Sequence, residues 1–247
     1  PKIPFWVAIL GSFIEITIGK MVFGGLGANI FNPAMVSRAF LTASFGVMMT
    51  TWYVPAPINS DMPKIQAENP TTVTQATPLA WSKQTLKKQV SPEITNNLFS
   101  STLTGNIGGC LGETSAIALL IGGIYLLIRR TINYHIPLAV ILSAFIFAAI
   151  IHLINPQTTI SPIMHLTSGS LLFGAFFIAT DPVTAPLTRR GKWVFGIGVG
   201  TIIMLIRTVG EYPEGVMYAV LLMNAFTALI DRFFKRVPAG GKPNAED

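Results

Sequence analysis

The stretch from Phe23 to Phe40 contains residues that could bind an anion at the start of a helix. Three glycines at 24, 25 and 27 precede Asn32, Pro33 and Arg38. Glycine permits unusual backbone angles, and Asn32 is suited to cap a helix that begins at Pro33. The free N–H groups of such a helix start, together with Arg38, suit an anion. Without that function, the same residues form a tight helix connection from which Arg38 reaches an aqueous surface.

Acidic side chains within or beside apolar runs form a second group of candidates. Glu15 lies inside the first run, and Asp181 ends a later one just before Pro182. Acids in such surroundings are costly and are commonly functional, so both are candidates for an ion path. The alternatives are a polar helix contact for Glu15 and a helix cap for Asp181. For Glu113 and Glu211 we expect helix starts, which favour negative charge.

The single cysteine, Cys110, cannot form a disulfide within the chain and has no Cys or His neighbours at metal-binding spacing. We therefore expect it to act as a small apolar side chain, and we expect no metal site. The stretch Thr71–Ala80 predicts, from composition alone, only a polar loop with a turn at Pro78.

The composition indicates an integral membrane protein. The chain is 51% hydrophobic and 11% charged, with a mean hydropathy of +0.56; soluble domains carry roughly 25% charged residues. The net charge of +6 does not indicate a nucleic-acid partner, because the basic residues lie at the ends of apolar runs, as membrane anchors do. The expected surroundings are therefore membrane lipid.

Seven apolar runs approach the roughly 20 residues that a spanning helix needs. Several are short and contain glycine, which is typical of discontinuous helices around a site. The sequence therefore predicts an all-α, polytopic helical bundle with discontinuous or half-helices. The runs are Pro4–Lys20, Pro33–Tyr53, Thr114–Ile128, Ile136–Ile154, Leu166–Thr180, Trp193–Ile206 and Gly215–Ile230.

These runs divide the chain into four regions. Residues 1–52 are first-half membrane helices, 53–113 an outer loop, 114–231 further membrane helices, and 232–247 a basic tail. With the loop outside, eleven of the seventeen Lys and Arg residues fall on the inner side, which predicts a cytoplasmic C-terminus. Because the chain begins with Pro1, we expect its first half to be incomplete at the N-terminus.

Two short similarities predict an internal duplication. Residues 25–34, which contain Asn32-Pro33, resemble residues 174–183, which contain Asp181-Pro182, and residues 112–114 resemble residues 210–212. The outer loop accounts for the unequal spacing. Such halves commonly meet at the membrane midplane, in an inverted or a parallel arrangement that the sequence leaves open.

Three stretches together resemble the RnfD/NqrB family of membrane redox subunits over about residues 20–230. They are Gly24–Ala34, Leu171–Val183, and Gly112–Ala116 leading into Ile121–Leu126. The third is more similar to RnfD than to NqrB. The resemblance implies a fold of two similar halves related to urea transporters, and further N-terminal helices.

The resemblance also implies a flavin cofactor. Family members carry FMN joined by a phosphoester to a threonine in the outer loop, within a Ser/Thr-Gly-Ala-Thr pattern that is often preceded by Asp. Here Thr74, Gln75, Ala76, Thr77 and Pro78 match, and Thr77 is the expected attachment site. Gln75 in place of Gly and Thr71 in place of the usual Asp are departures from the pattern.

Further implied cofactor contacts are Asn32, Arg38 and Asp181, and a second, non-covalent flavin fits the same resemblance. The implied function is electron transfer between ferredoxin and NAD, coupled to Na⁺ or H⁺ movement. Glu15, Asp181 and Arg38 are the ion-path candidates.

Implied partners are the subunits RnfA, RnfB, RnfC, RnfE and RnfG, and a flavin transferase, in a bacterial cytoplasmic membrane. Alternatives are the corresponding subunit of a Na⁺-pumping NADH:quinone reductase, a urea-type channel without redox function, and a structural subunit that has lost its flavin.

Overall fold

The chain is helical, without any strand, throughout the residues whose structure is described. The computed structural model describes residues 3–50, 79, 99–105, 107, 109–110, 113–210 and 214–235. The predicted all-α class is therefore confirmed. The helices are α1 (Phe5–Thr17), α2 (Pro33–Ser44), α3 (Gly46–Thr50), α4 (Phe99–Thr104), α5 (Ala116–Ile128), α6 (His135–Ile154), α7 (Pro162–Thr167), α8 (Leu171–Phe173), α9 (Arg189–Thr208) and α10 (Val216–Phe233).

Four segments are long and apolar enough to cross a membrane. They are Phe5–Phe23, which is α1 with the short 3₁₀ turn that follows it, and the helices α6, α9 and α10. Helix α5 is apolar but shorter. These lengths agree with a polytopic membrane protein. The short helix α4 lies within residues 53–113, which the composition predicts as loop.

Helices α6 and α9 pack closely and run parallel. A Cβ atom added at Gly196 would lie 2.9 Å from the carbonyl oxygen of Ile136, and one at Gly200 would lie 2.5 Å from that of Val140. Only glycine allows the two backbones to approach so closely, which is how small residues four apart bring membrane helices together. The contact surrounds fully buried side chains such as Phe195.

Helix α10 runs antiparallel to α9. Gly198 faces Met223, while Gly215, just before α10, faces Ile206 near the end of α9. This pairing brings the last turn of α9 beside the first residues of α10. Helices α1 and α2 are likewise antiparallel, and the Ser37 hydroxyl donates a 2.7 Å hydrogen bond to the carbonyl oxygen of Gly11.

The apolar run predicted at Leu166–Thr180 is a broken helix in the structure. Helix α7 ends at Thr167, Ser168 and Gly169 leave the helical conformation, and α8 continues directly into a π-helical segment, Gly174–Ile178. Gly169 adopts a φ of 68°, the left-handed region that glycine enters without steric cost. The predicted discontinuous helix is therefore confirmed here.

Candidate functional site: an ionic cluster at a helix break

The break between α7 and α8 creates two helix ends inside the protein. The last carbonyl groups of α7 and the first N–H groups of α8 have no partner within their own helices. Ser168 is fully buried, so water is a poor partner at this point. Leaving such groups unpaired costs roughly 1–3 kcal/mol each, and other parts of the chain must satisfy them.

Arg207, in the last turn of α9, satisfies the carbonyl end. Its Nη1 donates to the carbonyl oxygen of His165 at 2.5 Å, and its Nη2 donates to that of Ser168 at 3.1 Å. The side chain is only 1% exposed. A positive charge also suits this position, because a helix C-terminus carries partial negative charge.

Glu214, just before α10, satisfies the N–H end. Its Oε1 accepts a 2.6 Å hydrogen bond from the backbone N–H of Ser170 and a second one from the Ser170 hydroxyl. A negative charge suits the partly positive start of α8. The break is thus bounded by two opposite charges that match the two helix ends.

Glu214 also links the break to α2 and to the segment before α5. Its Oε2 lies 3.1 Å from Nη2 of Arg38, which in turn lies 3.5 Å from Sγ of Cys110. The backbone N–H of Cys110 donates to Oε1 of Glu113 at 2.7 Å. We call Arg38, Cys110, Glu113, Arg207 and Glu214 the ionic cluster.

Glu113 is the member of the cluster with the most strained electrostatics. It is 7% exposed, and its Oε2 has no hydrogen-bond partner among the described residues. Burial, and next the negative charge of Glu214, raise its pKa from 4.5 to about 7, although the Cys110 N–H and Arg38 act in the opposite direction. Burial and Glu113 likewise raise the pKa of Cys110 to about 12, so this thiol stays protonated at neutral pH.

We expect the stability of the protein to fall as pH rises from 5 to 8 because of Glu113. A carboxyl group whose folded pKa is raised stabilises the fold below its unfolded pKa, and that contribution is lost as pH passes through about 7. The full shift corresponds to about 3 kcal/mol. Thermal unfolding in detergent should therefore show a weaker pH dependence for Glu113→Gln than for wild type.

Asp231→Asn is the matched control for this prediction. Asp231 accepts a hydrogen bond from the backbone of Leu187 at the opposite end of α10 from the cluster, so its removal should leave the wild-type pH dependence intact. If Glu113→Gln and wild type show parallel melting curves at all pH values, the carboxyl group of Glu113 does not titrate as described.

Leu79 is the described residue nearest to the flavin motif, and it lies at the same break. Its side chain is 3% exposed. A Cβ atom added at Gly169 would overlap Cδ1 of Leu79 and would lie 3.2 Å from both Nη2 of Arg207 and Oε1 of Glu214. The outer loop therefore contacts the break at Leu79. Thr71, Thr74, Gln75, Ala76, Thr77 and Pro78 lie outside the described residues.

Of the residues predicted from the sequence, Arg38 joins the cluster. Asn32 does not: its Oδ1 accepts from the N–H of Met35 at 3.2 Å, so the predicted cap of a helix beginning at Pro33 is confirmed. With the amide oxygen of Asn224 facing it, the Asn32 N–H also donates to α10 at 2.9 Å. Asn32 thus ties α2 to the middle of α10.

Asp181 and Glu15 also lie apart from the cluster. Asp181 accepts from the N–H of Val183 and the hydroxyl of Thr184, whose carbonyl group bonds Thr227 near the end of α10. Thirteen helical residues from Glu214 to Thr227 correspond to about 20 Å. Glu15 is half-buried in α1, and the charges that act on Arg38 come from Glu214, Cys110 and Glu113 rather than from it.

Three members of the cluster were not predicted from the sequence as site residues. The charge count assigns Arg207 to the outer surface, but this arginine is internal, and the apolar role expected for Cys110 omits its contact with Arg38. Glu214 gives one usable signal, an acid directly before a helix start in Glu-Gly-Val. Without the two internal arginines, ten basic residues remain on the predicted inner side and five on the outer.

The fold and the cluster define a polytopic α-helical membrane protein that holds paired charges around a broken helix. A comparison with family models gives the affiliation: residues 1–240 match the family described as NQR2, RnfD, RnfE. The chain belongs to this family, as the resemblance of its motifs predicts.

Individual relatives agree over nearly the whole chain, and each is the member of its complex that bears the letter D. The chain is 41% identical over 245 residues to that of the ion-translocating oxidoreductase complex of Stutzerimonas stutzeri, covering 94% of this chain and 69% of that protein. It is 42% identical over 233 residues to that of the Na⁺-translocating ferredoxin:NAD⁺ oxidoreductase complex of Acetobacterium woodii, covering 94% and 66%. It is 41% identical over 246 residues to that of the proton-translocating ferredoxin:NAD⁺ oxidoreductase complex of Clostridium ljungdahlii, covering 97% and 70%.

Proposed function

We propose that this chain is the flavin-carrying membrane subunit of an ion-translocating ferredoxin:NAD⁺ oxidoreductase complex. The observation that carries the proposal is the match of 94–97% of the chain to subunits named for that activity. One of them is named for Na⁺ and the other for protons, at 42% and 41% identity. Overall similarity therefore does not select the ion.

The cofactor in this proposal is FMN, joined through its phosphate to Thr77. The match to the family pattern at Thr74, Gln75, Ala76, Thr77 and Pro78 supports it. Bound FMN supplies the electron-transfer chemistry, while the protein supplies position and charge.

The described residues beside Leu79 suit such a group. Arg38 retains a side chain that is 25% exposed, and it uses Nη2 for both Glu214 and Cys110. Its other N–H groups can therefore face a phosphate or a negatively charged ring. Arg38 is thus the predicted cofactor residue that the geometry favours, whereas Asn32 and Asp181 serve their own helix and turn.

The ionic cluster in this proposal keeps fixed charges next to an electron carrier. Two arginines and two glutamates balance when both acids are ionised, so the site holds charge without a large net field. Because these side chains are held by helix ends, they do not need to reorganise when the charge of a neighbouring group changes.

The remaining parts of the proposal concern the assembly. The outer loop faces away from the cytoplasm, the C-terminus faces the cytoplasm, and the chain lies in a bacterial cytoplasmic membrane. The basic residues that remain on one side after Arg38 and Arg207 are set aside support this orientation. Partners are the other subunits of the complex, and a flavin transferase is needed for maturation.

The first test is covalent flavin on Thr77. The protein would be expressed with its flavin transferase, and a denaturing gel would be imaged for flavin fluorescence. We expect a fluorescent band in wild type and in Thr72→Ala, and a dark band of equal protein content in Thr77→Ala. Without fluorescence in wild type, the flavin proposal fails and a channel-like or structural role becomes the better account.

A further inference from the structure

The packing of Leu79 is unusual for its part of the chain. The stretch Thr71–Pro78 contains four threonines and a glutamine and has the composition of a solvated loop. Leu79 directly follows it, yet its side chain is 3% exposed. The loop is therefore held at this residue by apolar packing, and the partner of that packing is the backbone of the helix break.

Gly169 forms the floor of the notch that holds Leu79. Any side chain at position 169 would overlap Cδ1 of Leu79, and the same point in space lies 3.2 Å from Arg207 Nη2 and 3.2 Å from Glu214 Oε1. Leu79 therefore covers the two charged groups that bound the break. Excluding water there strengthens their hydrogen bonds to the helix ends.

We propose that the notch at Gly169 is the seat of the outer loop and that Leu79 is the anchor, so that the helix break positions the flavin-bearing segment. Leu79 and Gly169 act as positioning residues: they touch each other and fix the loop against Arg207 and Glu214. The role for the flavin rests on the proposed function, whereas the seating of the loop does not.

The seat matters for an electron carrier because of its distance to fixed charges. Thr77 precedes Leu79 by two positions, and two residues span at most about 7 Å. A group attached there lies within one Debye length, about 8 Å at physiological salt, of a segment that contacts Arg207 and Glu214. Unseating the loop changes those distances and should therefore shift the reduction potential of the flavin.

The experiment measures hydrogen–deuterium exchange, in detergent, of a peptide covering residues 77–82. Leu79→Ala empties the notch, and Gly169→Ala fills it. Each change should speed exchange about ten-fold, from lost apolar burial in the first case and overpacking in the second. Because both act on one contact, the double variant should exchange no faster than the faster single variant.

Gly27→Ala is the matched control. Gly27 also has a positive φ, 84°, but a Cβ atom there would meet nothing within 4 Å. It therefore reproduces the backbone strain of Gly169→Ala without the overlap, and the peptide should exchange as in wild type. Exchange of a peptide from α6 reports whether each variant remains folded; if Gly169→Ala does not, Leu79→Ala decides, since it adds neither strain nor overlap.

Two results would overturn the seat: unchanged exchange in Leu79→Ala, or multiplied effects of about a hundred-fold in the double variant. Potentiometric titration of the covalent flavin tests the positioning role, and an unchanged midpoint potential in Leu79→Ala would refute that role. Loss of the proposed function shows differently, as a wild-type band without flavin fluorescence, and the exchange result would still decide whether the seat exists.

Discussion

Replacing Arg207 with methionine is expected to lower the melting temperature by roughly 10 °C or more. The change removes both bonds to the carbonyl oxygens of His165 and Ser168 and leaves them buried. It also leaves Glu214 without a nearby positive charge on that side. Breaking a buried, hydrogen-bonded charge in this way costs roughly 3–5 kcal/mol, and one kcal/mol corresponds to roughly 2–4 °C in a chain of this size.

Arg190→Met is the control for this expectation. Arg190 is exposed in the first turn of the same helix, so the substitution removes a charge and no buried hydrogen bond. Thermal unfolding monitored by size-exclusion chromatography would compare the two variants. Arg207→Lys should fall between them, because lysine keeps the charge but lacks the two-pronged guanidinium. Equal melting temperatures for Arg207→Met and Arg190→Met would show that the break does not depend on Arg207.

The second large effect is expected at Gly200, where alanine should destabilise the protein by about 2–4 kcal/mol. Its Cβ would lie 2.5 Å from the carbonyl oxygen of Val140 and 3.2 Å from the N–H nitrogen of Ala144. Both are backbone atoms of α6, so the two helices must move apart and lose their packing. Gain of helix propensity, about 1 kcal/mol relative to glycine, offsets only part of this cost.

Gly198→Ala tests the same helix two residues away. There the added Cβ meets Sδ and Cε of Met223 at 2.6 Å, and a methionine side chain can move at low cost. We expect this variant to melt within a few degrees of wild type. If both alanine variants were equally mild, α6 and α9 would not be held at the separation described, and the contact would be looser than the glycines require.

The apolar runs of the sequence located the helices well but not their contacts. The run Ile136–Ile154 differs from α6 by one residue at its start, and the cap at Asn32 follows directly from its place before Pro33. These are local properties: an apolar length and a side chain that bonds three residues ahead. They do not depend on how the helices pack.

The ionic cluster depends on that packing, which explains why the sequence revealed only part of it. Arg207 looks like an ordinary basic residue at the end of an apolar run, because its hydrogen-bond acceptors lie about forty positions earlier in the chain. The weak repeat pairs Glu113 with Glu211, whereas the structure places Glu214 with Glu113 through Arg38 and Cys110. Glu211 itself lies outside the described residues.

The broken helix also bears on how the chain is made. A ribosome delivers α7 and α8 to the membrane before α9 and α10, yet the break bonds to Arg207 and Glu214, which follow it by 39 to 44 residues. At synthesis rates of roughly 5–20 residues per second, these groups wait for seconds. During that interval the nascent segment must keep Ser168–Ser170 near water or against the insertion machinery. Biogenesis of this half is therefore complete only after α10 has emerged.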